Sequence, residues 1–481
     1  MNNTSLSRSV IWYSLGNIFI RSVSFFFLPL YSNLIRAADF GNYSLLMSVY
    51  AILLVVYQLG MFNAMNKFFI EESSAARRKL IFSSILNSIL ITGVFLTLLF
   101  SILSSRLSHI IFNKYDFSSL LTFVFISIFF ETINAYILYL LKTMEMAKKA
   151  VSYTALGAIL NLVLNIILVY YLRLSIAGII YSQLISVFIL CLILSYLIKD
   201  NYVFRIDKDI LKVVIKFSIP ILFASLFTAG SNVADRFILN IFAGREEVGL
   251  YSFAYRIAIV MNIFVASFYA AWNPHSLNLY YKKDYESSFG VTLNKLVASC
   301  CLILLTVSLL TRYLFDINIY GISLFNPGYK AGIIIIPIVM TGYIFNGISL
   351  FYTVYPTVAN KTHHILLANL TAFALNIGLN FLLIPRFGMV GAAISTLTGF
   401  LFSSFYLFFV SRKAIIIEYQ YRELIIIIIT VVLFLIIGLS SKNIFIDLLL
   451  ILLYLFTLQF FAKIRINQIS AVTNIRDINS N

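Results

Sequence analysis

Long apolar runs constrain this chain more than any other feature. One of them, residues 424–439, reads LIIIIITVVLFLIIGL, and similar runs recur to the end of the sequence. About 20 apolar residues in a helix cross the roughly 30 Å hydrocarbon layer of a bilayer. Only 11% of the 481 residues are charged, whereas about a quarter are charged in soluble proteins. The sequence therefore predicts a polytopic membrane protein.

The apolar runs are too long and too unbroken for the strands of a membrane barrel, which alternate over about ten residues. Backbone polar groups in lipid must then be satisfied within helices. We predict an all-α fold with about 14 transmembrane helices joined by short connections.

The distribution of basic residues predicts the orientation. Of the 35 Lys and Arg residues, 23 fall in or beside segments on the amino-terminal side of the membrane and nine on the other side. Basic loops stay in the cytoplasm, so both termini are predicted to be cytoplasmic. The same bias explains most of the net charge of +16 as a topology signal and an attraction to anionic lipid, rather than a nucleic-acid footprint.

The chain contains an internal repeat. GNYS at 41–44 matches GLYS at 249–252, and NLVLNIIL from Asn161 matches NIGLNFLL from Asn376. Six predicted spans separate the copies, so the copies have the same orientation, as in parallel transporter repeats. We predict a six-helix bundle over 1–200, a second over 201–415, two further helices over 416–466 and a polar cytoplasmic tail over 467–481.

Polar residues form stripes on two of the predicted spans. Arg236 shares a stripe with Asn232 on the seventh predicted span, 218–243, and Arg21 shares one with Asn17 on the first predicted span, 10–34. Neighbouring side chains on a helix point about 100° apart, so Asp235 and Arg236 are not expected to pair with each other.

A charge inside the membrane costs about 2.5–3.5 kcal/mol on insertion scales, so Arg21, Arg236, Arg256, Glu131 and Asp235 need partners or water. One interpretation is structural, with buried ion pairs that hold helices together. The other is a cationic substrate site at Arg21, Arg236, Arg256, Asn17 and Asn232, because arginine binds phosphate through a planar fork. Glu131 and Asp235 are then candidates for ion coupling or for pairing with an arginine.

Other chemistry-bearing motifs are weak. His363 and His364 lie in a predicted inner turn, NKTHH, and are expected to be solvated. We find no phosphate-cradling glycine loop, zinc-ligand spacing or nucleophile elbow. The sequence therefore predicts no cofactor, no metal and no catalytic residue.

Two stretches carry a family resemblance. The stretch SLGNIFIRSVSFFFLPLYSNLIRAADFGNYSLL resembles the first hairpin of Wzx-type polysaccharide flippases. The stretch VGLYSFAYRIAIVMNIFVASFYAAWNPHSLNLYYKKD resembles their eighth span and its inner loop. These belong to the multidrug, oligosaccharidyl-lipid and polysaccharide exporter superfamily. The resemblance implies a MATE-like pair of six-helix bundles around a cleft in the bacterial inner membrane. It also implies that lipid-linked oligosaccharide, such as an O-antigen or capsule repeat unit, is flipped by alternating access.

The resemblance further implies the lipid bilayer, and other polysaccharide-assembly proteins, as partners. Three alternatives stay open at this point: a peptidoglycan-precursor flippase, a drug exporter of the same superfamily, and a membrane glycan polymerase or ligase. A drug exporter for cations needs an acidic cavity, whereas the predicted spans hold three arginines against two carboxylates. A polymerase needs a large outer loop, and the predicted outer loops are short.

Overall fold

The computed structural model describes residues 27–282, 286–319, 322–412, 416–441 and 443–460, and these are almost entirely helical. A short antiparallel pair, Asn318–Ile319 with Ile322–Ser323, interrupts the helices. The helices are α1 (27–34), α2 (Ala37–Gln58), α3 (Met61–Glu71), α4 (Ala75–Phe112), α5 (Ser118–Thr143), α6 (Ala147–Asn165, continued as a π-helix over Ile166–Tyr171), α7 (Ser175–Leu197), α8 (Lys208–Lys282), α9 (Glu286–Leu310), α10 (Ile336–Phe351), α11 (Val354–Val358), α12 (His363–Ser411), α13 (Tyr421–Ser441) and α14 (Ile444–Phe460).

Within the described residues, ten helical segments are long and apolar enough to cross a membrane. Two of them are far longer than one crossing needs, and each is broken at a glycine. The break in α8 is at Gly244, with φ 83° and ψ 178°, and the break in α12 is at Gly388, with φ 52° and ψ −131°. Many large apolar side chains on the helices are exposed, as expected for surfaces that contact lipid. The helical membrane fold is confirmed, while the count of 14 spans remains a prediction.

The chain divides into two compact units, residues 1–237 and 238–481. The core of the first unit forms where α4, α5 and α7 pack together. The Phe82 and Tyr136 rings stack at 5.2 Å, and the Asn134 amide donates to the Val187 carbonyl at 2.8 Å. These contacts fix α5 against α4 on one side and against α7 on the other.

Related contacts occur inside the second unit at an offset of 207–216 residues. The Phe289 and Phe351 rings lie 5.8 Å apart, and the Ser349 and Ser403 hydroxyls are 2.9 Å apart. Each contact joins helices that correspond, in the sequence repeat, to those joined by its counterpart. The two units therefore share the packing of their side chains as well as their order of helices.

An asparagine anchors the connection that follows α7 in the first unit and the connection that follows α12 in the second. In the first unit, the Asn87 amide donates to the Arg205 carbonyl at 3.2 Å. In the second unit, the Asn294 amide donates to the Gln420 carbonyl at 3.2 Å. Gly290 approaches the Glu418 carbonyl so closely that an added Cβ would lie 1.9 Å from its oxygen. No side chain fits at that position, because the backbones of α9 and the connection are in contact.

The last two helices, α13 and α14, are attached to α9. The Tyr454 hydroxyl on α14 donates to the Ala298 carbonyl at 3.1 Å. Near the other end of α9, the Arg312 guanidinium forms an ion pair with Asp447, whose side chain is fully buried. Polar groups therefore hold both ends of α14 on the second unit.

Candidate intramembrane polar sites

The two charges on α8 form a pair, contrary to the sequence-based expectation. The Arg236 Nη1 atom lies 3.4 Å from the Asp235 Oδ1 atom, and the Arg236 backbone N–H donates to the same oxygen at 2.8 Å. The expectation was wrong because it considered only the directions in which the two side chains leave the helix. The long arginine side chain instead folds back along its own helix.

Asn232 shows why the arginine folds back. Its backbone carbonyl, one turn before Arg236, accepts a hydrogen bond from Nη1 at 2.7 Å, and this bond brings the guanidinium past Asp235. The Asp235 and Arg236 side chains are only 6% and 15% exposed, whereas Asn232 is exposed. The carboxylate is thus shielded on the helix, and the amide next to it is accessible.

Of the other two predicted arginines, only Arg256 lies within the described residues. Arg256 lies on the second half of α8 and is half-buried. Its neighbour Tyr255 accepts a hydrogen bond at 2.9 Å from the Tyr343 hydroxyl, and this bond joins the second half of α8 to α10 within the second unit. Asn17 and Arg21 lie outside the described residues, so their predicted roles remain predictions.

Glu131 lies on α5, half-buried, inside the first unit. The Tyr50 side chain on α2 lies near the Glu131 carboxyl group and near the Gln183 side chain on α7. Glu131 therefore belongs to a polar cluster that three helices build together.

The cluster extends to two asparagines on α6 that the sequence analysis quoted only as a repeat. The Asn161 amide donates to Gln183 at 3.3 Å, and the Asn165 amide donates to Asn161 Oδ1 at 3.1 Å. Asn165 also accepts from the Tyr31 hydroxyl at 2.8 Å. Their spacing of four residues, which places both on one face of a helix, was the signal that could have identified them.

The second unit contains the corresponding pair on α12. The Asn380 amide donates to Asn376 Oδ1 at 3.1 Å, and the Asn376 amide donates to the Thr396 hydroxyl at 3.2 Å. Asn380 is fully buried, and its own carbonyl oxygen has no hydrogen-bond partner. Each unit thus holds an asparagine pair with the same internal hydrogen bond.

The histidine pair differs in part from the prediction. His363 is exposed as expected, but His364 is half-buried, and its Nδ1 lies 2.9 Å from the Tyr406 hydroxyl. In the part of the chain that the structure describes, no three His, Cys, Asp or Glu side chains come together in a way that could hold a metal ion.

The many apolar helices of the two units define a multi-pass membrane protein. The chain belongs to the family of polysaccharide biosynthesis proteins, whose family model matches residues 6–279. No curated protein matches the sequence at a significant level.

Solved structures share the fold. The chain is similar to the lipid II flippase MurJ in an inward closed conformation, with a TM-score of 0.76, 16% identity, and coverage of 94% of this chain and 99% of that one. It is also similar to an inward-facing multidrug resistance MATE transporter of the MOP superfamily, with a TM-score of 0.64, 15% identity, and coverage of 84% and 97%. A MOP superfamily transporter from Pyrococcus furiosus matches with a TM-score of 0.59, 18% identity, and coverage of 84% and 95%. The family model confirms the predicted polysaccharide-biosynthesis family, and these structures show that the fold is shared.

Proposed function

We propose that the protein is a flippase that moves undecaprenyl-pyrophosphate-linked oligosaccharide, an O-antigen or capsule repeat unit, across the plasma membrane. The observation that carries this proposal is Arg236, a largely buried guanidinium in an apolar helix, within a family of polysaccharide biosynthesis proteins. A pyrophosphate needs a cation that stays charged at every working pH, and arginine is that cation.

The pairing of Arg236 with Asp235 is compatible with this role. A charge-assisted hydrogen bond between nitrogen and oxygen is normally about 2.7–2.9 Å long, and the Arg236–Asp235 distance is 3.4 Å. This one contact is therefore longer than an optimal charge-assisted hydrogen bond. A pyrophosphate, with more charge and more acceptor oxygens, competes well for the same guanidinium.

The sugar portion needs hydrogen-bonding groups rather than charge. The exposed Asn232 amide lies one turn from Arg236 and is suited to contact hydroxyls. In this proposal the glycan passes through the protein by alternating access, and the lipid tail stays in the bilayer. Arg21, Arg256 and Asn17 complete the proposed binding site.

A second candidate is a flippase for a peptidoglycan precursor. The MurJ similarity covers 94% of the chain, compared with 84% for the MATE transporter. Both candidates carry a pyrophosphate-linked glycan, so Arg236 supports either one. They differ in the sugar, which no described contact selects.

Deletion of the gene tests the proposal directly. The expected result is accumulation of an undecaprenyl-pyrophosphate-linked oligosaccharide on the inner leaflet, identified by mass spectrometry, together with loss of surface glycan. Accumulation of lipid II instead would favour the second candidate. A strain that accumulates no lipid-linked intermediate, and that keeps its surface glycan, would exclude both.

A further inference from the structure

The connection between α7 and α8 runs along α4 within the first unit. We call residues 202–207 of this connection, YVFRID, the strap. The Val203 backbone N–H donates to the Ser83 hydroxyl at 2.9 Å. The Asp207 backbone N–H donates to the Ser84 hydroxyl at 3.0 Å. Both serines lie on α4 and are fully buried, so α4 holds the two sides of the strap.

Asn87 on α4 holds the centre of the strap. Its amide donates to the Val203 and Arg205 carbonyls at 3.4 and 3.2 Å, and its side-chain oxygen accepts a hydrogen bond from the Tyr202 hydroxyl. Asn87 is buried. Non-helical backbone at membrane depth needs partners for its polar groups, and a buried amide needs partners as well. The strap and α4 therefore satisfy each other's polar groups.

The strap exposes apolar side chains at its tip. Phe204 is 88% exposed, and Val203 and Ile206 are each 40% exposed. The backbone on both sides of Phe204 is hydrogen-bonded to α4, so this ring cannot turn into the protein core without loss of those bonds. Leaving a side chain of this size in water, rather than in apolar surroundings, costs about 1.5–3 kcal/mol. The tip is thus suited to an apolar environment outside the protein.

The length of α4 gives the depth of the strap in the membrane. Lys79 and Arg106 are 27 residues apart, which is about 40 Å at 1.5 Å per residue, the thickness of a bilayer with its head groups. The hydrocarbon layer alone takes about 20 residues of a helix, so, counted back from Arg106, it ends near residue 86. Asn87 therefore lies at the boundary between head groups and hydrocarbon.

The apolar surface of α4 continues beyond the strap. Ile91, Phe95, Leu98 and Ile102 follow Asn87 at helical spacing on the same face, and all four side chains are exposed. The strap covers only the end of this face that lies nearest the start of α4. Its own exposed apolar side chains extend the lipid-facing surface to the edge of the hydrocarbon.

The matched connection in the second unit differs in its chemistry. Asn294 corresponds to Asn87, and its amide donates to the Gln420 carbonyl at 3.2 Å. The residues at this contact are Glu418, Tyr419 and Gln420, in place of the valine, phenylalanine and isoleucine of the strap. An asparagine can therefore hold a connection that is not apolar, and the apolar tip of the strap has a separate role.

We propose that the strap is a membrane anchor, with Phe204 inserted between phospholipid acyl chains at the edge of the hydrocarbon layer. Its partner is the lipid on the side of the membrane where α4 begins, which the charge bias predicts to be cytoplasmic. Arg205, also exposed, reaches the head groups with its charged end while its stem stays in apolar surroundings. The anchor fixes the start of α8, the helix that carries Arg236, and is independent of the glycan that the protein transports.

The test measures the depth of single nitroxide spin labels in the full-length protein. The three native cysteines, all buried, are first replaced by alanine, and the protein is placed in nanodiscs of phosphatidylglycerol and phosphatidylcholine. The labelled variants are Phe204→Cys, Phe95→Cys as a lipid-facing reference on α4, and Lys212→Cys as an exposed reference near the start of α8. Spin relaxation is compared for oxygen, which concentrates in hydrocarbon, and for a nickel chelate, which stays in water.

The label at Phe204→Cys should relax more with oxygen than with the nickel chelate, as at Phe95→Cys, and Lys212→Cys should show the reverse. Adding Asn87→Ala to Phe204→Cys releases the strap, so the effect of the nickel chelate should rise towards that at Lys212→Cys. A Phe204→Cys label that behaves like Lys212→Cys would overturn the membrane anchor. A label shielded from both reagents would also overturn it, because the ring would then contact protein rather than lipid.

Discussion

The Arg312 guanidinium and the Asp447 carboxylate form a buried ion pair that joins the end of α9 to the start of α14. Asp447 is fully buried and also accepts a hydrogen bond from the Tyr313 hydroxyl at 2.7 Å. Arg312 donates to the Gly438 carbonyl on α13 at 2.9 Å. One arginine side chain therefore contacts both of the last two helices.

Neutralising only one partner of the Arg312–Asp447 ion pair should destabilise the protein strongly. Asp447→Asn leaves the Arg312 charge buried without its counter-ion, a change that typically costs about 3–5 kcal/mol. We expect a clear fall in the melting temperature of the protein in detergent, with earlier proteolysis near α13 and α14. The double replacement Arg312→Leu with Asp447→Leu should recover most of the stability, because no unpaired charge then remains.

The same unit provides a matched control. Lys330 and Asp316 form an ion pair at 3.3 Å, but their side chains are 52% and 64% exposed. Exposed pairs contribute about 0–1 kcal/mol, so Asp316→Asn should barely move the melting temperature. Equal effects of Asp316→Asn and Asp447→Asn would contradict the view that burial makes the inner pair important.

Arg236→Ala should abolish export of surface glycan while the protein stays in the membrane. The alanine removes the proposed pyrophosphate ligand, and Arg236→Lys should restore export only in part because lysine lacks the planar fork. Export is measured as surface glycan by immunoblot, with protein quantified in isolated membranes. Arg173→Ala, which removes an exposed arginine predicted to lie outside the membrane, should leave export unchanged.

A purely structural role for Arg236 predicts a different pattern. The amount of folded protein would then fall in Arg236→Ala, because the nearly buried Asp235 would lose a counter-ion. Adding Asp235→Asn to that variant would restore the folded protein. Full surface glycan in Arg236→Ala would exclude the proposed ligand role altogether.

Glu131→Gln tests whether transport is coupled to a proton gradient. If Glu131 exchanges a proton during the transport cycle, the amide should keep substrate binding but remove the dependence of transport on the gradient. Transport is measured in membrane vesicles with and without a protonophore. Glu145→Gln is the control, because it changes an exposed acid of the same unit. Wild-type transport that ignores a collapsed gradient would rule out this coupling role.

The predicted topology can be checked with reporter fusions. Fusions after Arg173 and after Lys442 should report an outer location, and a fusion after Lys413 should report a cytoplasmic one, because basic residues favour the cytoplasm. An outer signal at Lys413 would contradict the predicted arrangement of the last four spans.

Apolar length was sufficient to predict the helical membrane fold, and the two stretches that resemble Wzx-type flippases predicted the family that the family model confirms. The sequence predicts separate spans over 218–243 and 249–272, and over 365–384 and 388–410, and the breaks in α8 and α12 fall at Gly244 and Gly388, between or at the edge of these spans. The thickness of the bilayer sets the length of a membrane-spanning helix, so apolar length alone predicts where one span ends and the next begins. The asparagine pairs were also visible in the repeated motif, but not the residues that they contact.

Contacts made by long side chains could not be predicted in the same way. The Arg236–Asp235 pair depends on rotamers, which bring the guanidinium back along its helix. The Arg312–Asp447 pair joins residues 135 apart, and only the packing of α14 on α9 brings them together. Helical periodicity describes the direction in which a side chain leaves the backbone, not where its far end arrives.

The left-handed residues Glu145, between α5 and α6, and Asn360, between α11 and α12, mark matched turns of the two units. Glu145 and Asn360 share a strained backbone conformation although their side chains differ, and the basic pairs after them are lysines in one copy and histidines in the other. A conformation that disfavours most residues is not expected to arise twice independently at matched positions. The bend is therefore a feature common to both units, and the two copies differ in the chemistry of the residues that follow it.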